Sequence, residues 1–143
     1  MSFEEIRVIT VVYTAVLLPL IIYWKYKSRL PKWIPSFYII SLVVCSLGWE
    51  LWFTYGWLDG DPVDLRRSEN LNKWLPKDIN WLLNSMGDAG AVLLGGAWLM
   101  WITHKKNLMI FKKWNWTAFV VLYIWCVSQN IFVEMFLYHD QLA

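Results

Sequence analysis

The sequence predicts an all-α membrane protein: a four-transmembrane-helix bundle with its N- and C-termini both outside. Three observations lead there. Of 143 residues, 58% are hydrophobic and only 17% charged, too little polar surface for a soluble domain. Twelve tryptophans far exceed what a soluble core uses, and an indole suits a membrane interface, ring in hydrocarbon and N–H among headgroups. Four apolar segments alternate with charged or turn-rich stretches, and each offers roughly 20 residues, about 30 Å of helix, enough to cross the hydrocarbon core.

The four segments are residues 6–24, 37–57, 79–102 and 114–138, forming a single bundle over 1–143. Pro19 interrupts the first, as a membrane helix tolerates when neighbours re-satisfy the backbone. The acidic start Ser2-Phe3-Glu4-Glu5 has no small-x-small cleavage site after it, so the first segment reads as a retained span rather than a signal. Lys25, Lys27, Arg29 and Lys32 follow the first segment, and Lys105, Lys106, Lys112 and Lys113 follow the third, nearly unopposed by acids. The loop over 58–78 balances both signs. By the positive-inside rule the two basic loops are cytoplasmic, which makes an integral, multi-pass membrane protein with an outer central loop. That loop contains Trp74 and Leu75, and reads either as a short interfacial helix over the bundle or as irregular chain.

The net charge of +2, with no basic run interleaved with exposed aromatics, makes nucleic acid an unexpected partner. Cys45 and Cys126 lie in apolar stretches and read as unpaired thiols acting as small hydrophobes.

Ionisable residues inside membrane helices are costly and mark candidate sites. Here they are Glu50, Asp88 and Glu134, with Arg7 near the start of the first helix. At 1.5 Å per residue they lie about 10, 14 and 6 Å below the outer ends of their helices. Asn80, Asn84 and Asp88 recur every four residues and stack on one face, continued by Ala91 and Gly95. Asn130 and Glu134 share a face, with Gln129 beside it; Ser46, Glu50, Phe53 and Trp57 line up on the second helix, and Arg7, Thr10 and Thr14 on the first. Four polar stripes at similar depth imply a cavity opening outward.

Such a cavity suits acid–base chemistry. Clustered carboxyls cannot all ionise in a low dielectric, so one keeps its proton beside a possible conjugate base. Trp49, Trp52, Phe53, Trp81 and Tyr123 offer ring faces that stabilise a cation, or else form a lipid-facing aromatic belt. Glu50, Asp88 and Glu134 are the candidate acids and bases, with Asn80, Asn84, Gln129, Asn130 and Arg7 as candidate substrate-binding groups. No cofactor motif is present, and no metal is expected, because no helix carries Glu-x-x-His and only His139 lies near Glu134 and Asp140. Asp59-Gly60-Asp61 with Asp64 has the look of a calcium-loop fragment without its twelfth-position glutamate, and reads as a solvated turn.

The stretch Cys45-Ser46-Leu47-Gly48-Trp49-Glu50-Leu51-Trp52-Phe53-Thr54-Tyr55, with Asn80-Trp81 through Asp88, resembles two helices of the integral-membrane terpene cyclases of meroterpenoid pathways. More distantly, intramembrane acids on a small bundle are similar to the sterol isomerase-like EXPERA group, although that group's second-helix histidine has no counterpart here. The cyclase resemblance implies that a carboxyl protonates an alkene or epoxide of a prenylated lipid, with Glu50 matching the catalytic glutamate and Asp88 the helix-three acid. The cyclases are larger, and a homodimer of this chain would complete such a fold. The expected function is therefore an isomerase or cyclase acting on an isoprenoid or sterol-like membrane lipid. The rival expectations are a non-catalytic accessory subunit of a larger membrane complex, or a small ion- or proton-conducting homo-oligomer.

Overall fold

The structure, a computed structural model, describes residues 1–57 and 60–135. The described residues are all-helical and contain no strand. Four stretches are long and apolar enough to cross a membrane: Phe3–Tyr26, Trp33–Tyr55, Lys77–Thr103 and Trp116–Val133. The first is helix α1, Phe3–Tyr26. The second divides into α2, Trp33–Leu47, and α3, Trp49–Tyr55. Helix α4, Glu69–Trp74, lies in the central loop. The third span runs from α5, Lys77–Gly87, through a π-helical segment, Asp88–Leu94, into α6, Gly95–Thr103. A 3-10 turn at Leu108–Phe111 precedes α7, Trp116–Val133.

These bounds refine the sequence reading. The second span begins at Trp33, four residues early, and is interrupted at Gly48 rather than continuous over 37–57. The fourth begins at Trp116, where the Asn115 side chain accepts the Ala118 N–H at 3.0 Å as an N-cap. Its expected end at Tyr138, with His139 and Asp140, lies outside the described residues, as does Asp59.

Helix α1 starts at a capping box: the Ser2 hydroxyl accepts the Glu5 N–H at 3.1 Å and the Glu5 carboxylate accepts the Ser2 N–H at 2.7 Å. Its inward face is Glu5, Val8, Val12 and Val16, the spacing of one helical stripe. That stripe packs on the third span, which is the hub of the bundle: α1, α2, α3 and α7 each pack against some part of it. Small residues let them approach. A Cβ on Gly90 would meet Pro19 Cγ at 3.4 Å and Tyr38 Cε2 at 3.5 Å, and one on Gly96 would meet Leu122 at 2.5 Å. Helix α7 is the least embedded span, with Ala118 its only buried residue.

Of the two readings of the central loop, the chain adopts the short helix. Ser68 caps α4 by accepting the Leu71 N–H at 3.1 Å, and its hydroxyl donates to the Glu5 carboxylate. Leu71 and Leu75 are fully buried and form one cluster with Val8 and Val12 of α1, so the loop is a folded cap. Arg67 ties the cap together, donating to Asn72 Oδ1 at 2.6 Å, to Asn80 Oδ1 at 3.0 Å and to the Leu75 carbonyl. Burial pushes its guanidinium down to about 10, so it stays cationic at neutral pH. Further ties are Tyr55 Oη to Asp78 at 2.6 Å and the Tyr13 hydroxyl to the Trp74 carbonyl at 3.0 Å.

The cap begins at two glycines in the left-handed region, Gly56 at φ +77° and Gly60 at φ +90°. A side chain costs about 1–2 kcal/mol in that region at either position. At Gly56 a Cβ would also meet the Asp61 carbonyl carbon at 2.5 Å and the Pro62 nitrogen at 2.6 Å, whereas at Gly60 it would meet none of the described residues within 4 Å. Gly56→Ala is therefore expected to lower the thermal unfolding midpoint in detergent clearly more than Gly60→Ala. Equal losses would show that backbone φ alone sets the requirement.

Candidate functional site

At the cap end of the bundle, a cavity of about 500 Å³ lies among α1, α3, the third span, α7 and the cap. Helix α1 contributes Val11, Val12 and Ala15, and α3 contributes Trp49, Glu50 and Phe53. The third span supplies Leu83, Asn84, Gly87, Asp88, Ala91 and Val92, and α7 supplies Gln129, Asn130, Phe132 and Val133, with Glu134 just past its end. Arg66 reaches in from the cap, its Nη2 donating to the Phe53 carbonyl at 2.7 Å.

Glu50 and Asp88, two of the three carboxyls of the cavity wall, stand where a helix departs from regular α geometry. The second span breaks at Gly48, whose φ of −89° and ψ of −124° are not helical, and α3 restarts at Trp49. A Cβ at Gly48 would lie 2.6 Å from the Val44 carbonyl oxygen, so a residue without a side chain suits the break. In hydrocarbon an unpaired carbonyl is expensive, and the Trp81 indole N–H donates to the Ser46 carbonyl at 2.8 Å. The third span widens into its π-helical segment at Asp88. There the Trp125 indole N–H is shared between the carbonyls of Ala91 at 3.0 Å and Val92 at 3.1 Å. Trp125 also packs over Gly95, where a Cβ would approach its Nε1 to 3.2 Å.

These two departures bring Glu50 and Asp88 together. Their carboxyls are near neighbours in the cavity wall, and the Asn84 carboxamide lies beside Glu50. The Trp49 indole N–H donates to Asp88 Oδ2 at 2.6 Å. Glu50 is only 5% exposed, and its Oε2 is buried without a hydrogen bond.

Of the residues singled out from sequence, eight line this cavity: Glu50, Asp88, Glu134, Asn84, Asn130, Gln129, Trp49 and Phe53. Glu134 is exposed, and the Asn130 amide turns back to the Cys126 carbonyl at 3.0 Å. Five lie elsewhere. Asn80 is fully buried and held by Arg67, Trp81 seals the helix break, and half-buried Arg7 is not part of the cavity wall. Trp52 is 46% exposed, and Tyr123 is 58% exposed and stacks on Phe119 at 6.2 Å. Arg66 and the α1 residues had no polar periodicity to reveal them; the folding of the cap over the bundle brings Arg66 in. Cys45 is buried and Cys126 half-buried, and both are free thiols.

No family model matches the chain, and neither a curated protein nor a solved structure matches it.

The seal on the helix break is testable. Trp81→Phe keeps an aromatic ring but leaves the Ser46 carbonyl unpaired, at an expected cost of about 1–3 kcal/mol. Trp52→Phe alters an indole that is 46% exposed and is expected to change stability little. Unfolding titrations in mixed micelles compare the two, and an equal effect would remove the role assigned to Trp81.

Proposed function

We propose that this protein is a membrane-embedded acid–base enzyme, an isomerase or cyclase that moves a proton on an isoprenoid or sterol-like lipid without an organic cofactor. The placing of Glu50 and Asp88 side by side in the wall of a cavity of about 500 Å³ supports this reading, since pockets of that size suit a small-molecule ligand. Two neighbouring carboxyls in a low-dielectric wall would hold one proton between them, supplying an acid and a base at one place. The Trp49 N–H suits Asp88 as the carboxylate and leaves Glu50 to carry the proton.

The step balances without a further reactant. The Glu50 proton adds to one carbon of an alkene, the π pair forming the new C–H bond and leaving a cation on the other carbon. Loss of a proton from a neighbouring carbon to the carboxylate regenerates a double bond in a new position. In a cyclisation a second alkene attacks the cation before that loss. The ring faces of Trp49 and Phe53 favour the cationic intermediate, and Asn84 orients the Glu50 carboxyl. Gln129, on α7, and Glu134, just past its end, meet the polar end of the lipid. In this proposal the basic turns face the cytoplasm and the cap faces outward.

The shallow seating of α7, with only Ala118 buried, favours a second reading as an accessory subunit whose fourth helix packs on a partner. One experiment separates them. Vesicles containing the purified chain and a prenyl-lipid extract are incubated in D2O, and the lipids are analysed by mass spectrometry. The enzyme reading predicts one deuterium gained per turnover, with labelling reduced at least a hundredfold in Glu50→Gln and Asp88→Asn although both variants retain their circular dichroism. Labelling in both variants at the rate of the parent protein would overturn it.

A further inference from the structure

The opposite end of the bundle carries a second cleft that the proposed chemistry does not use. From Ala89 to Val133 the chain has no acidic residue, yet it has four lysines in two pairs, Lys105-Lys106 and Lys112-Lys113. Between the pairs runs Asn107-Leu108-Met109-Ile110-Phe111, and beyond them Trp114-Asn115-Trp116. A cleft of about 240 Å³ opens there, rimmed by Lys112 and Lys113 and floored by Phe111, Trp114, Phe119 and Leu122.

The backbone of this turn is held in place. Lys105 and Lys106 both adopt positive φ, 54° and 60°, an arrangement that persists in non-glycine residues only where the surroundings enforce it. The His104 ring bridges the turn beside them, with Nδ1 at 2.8 Å from the Met100 carbonyl and Nε2 at 2.9 Å from Thr117 Oγ1. Trp114 and Trp116 are two-thirds exposed, and Leu108 and Met109 about half exposed, so the turn presents a mixed basic and apolar surface. Among the described residues neither Lys112 nor Lys113 pairs with a carboxylate.

We infer that this cleft binds the phosphodiester headgroup of an anionic membrane phospholipid, with Lys112 and Lys113 on the phosphate and the upper acyl chain along Phe119 and Leu122. A free phosphate offers the lysines the same charge but leaves the apolar floor uncovered, and that floor selects the lipid. The site is independent of the proposed enzyme activity, so either can fail alone.

Native mass spectrometry of the detergent-solubilised full chain tests it, with phosphatidylglycerol and phosphatidylcholine of identical acyl chains as probes. The parent protein should retain phosphatidylglycerol in preference by on the order of tenfold. The Lys112→Ala/Lys113→Ala double variant should lose that preference, Lys112→Arg/Lys113→Arg should keep it, and Lys25→Ala/Lys27→Ala, which alters the other basic turn, should also keep it. Equal retention of the two lipids by the parent protein would overturn the site, as would a loss of equal size in the Lys25/Lys27 variant. Displacement of phosphatidylglycerol by inorganic phosphate at similar concentration would overturn the lipid as its ligand.

Discussion

Hydrocarbon offers a peptide group no water to bond with, and two tryptophan N–H groups meet that constraint where the helices of this protein depart from regularity. A span of unbroken α-helix satisfies its own backbone. The second span departs from that at Gly48 and the third over Asp88–Leu94, and the N–H groups of Trp81 and Trp125 donate to backbone carbonyls at those two places. Each departure lies at a carboxylate: Glu50 comes two residues after the break, and Asp88 opens the π-helical segment. Regular helices would place both side chains by the 3.6-residue repeat alone. The break and the widened turn instead re-aim them, side by side in the cavity wall.

The cap extends the same logic to the polar end. A loop crossing between spans brings many backbone groups, and Arg67 alone donates to the Leu75 carbonyl and to the side-chain oxygens of Asn72 and Asn80. The adjacent Arg66 uses the same fold to place a cation in the cavity wall. The apolar half of the cap, Val63, Leu71 and Leu75, is buried as completely as any residue in the bundle. Cavity and cap are thus one construction, with Phe53 at the junction: its carbonyl binds Arg66 and its ring lines the cavity.

The spans were legible because hydropathy over a long window reports directly on crossing length, and Trp33–Tyr55 and Lys77–Thr103 differ from the sequence reading only at their ends and in their interior geometry. The grouping of Glu50, Asn84 and Asp88 was legible too, since polar residues at helical spacing in an apolar segment have few places to go. The break at Gly48 was not, because a lone glycine is tolerated within a membrane helix and its role depends on a tryptophan 33 residues later. The same holds for Asn80, which shares a stripe with Asn84 and Asp88 yet is claimed by Arg67 from a loop with no periodicity to follow. Tyr123 and Arg7 show the limit of depth as a guide: a residue at the right height on the bundle can still face away from the cavity.

The hub position of the third span bears on how the chain comes together. Helix α1 makes its main contacts with α4, α5 and the π-helical segment, and α2 with α3 and the third span, so the first two spans have little to hold them to one another. During synthesis both must wait in the bilayer as separate helices until residues 77–103 arrive between them. The clasp from Glu5 to Ser68 closes over the same interval, joining the beginning of the chain to its middle. The first two spans therefore share no partner until that segment is made, and the cavity is complete only when α7 has followed it.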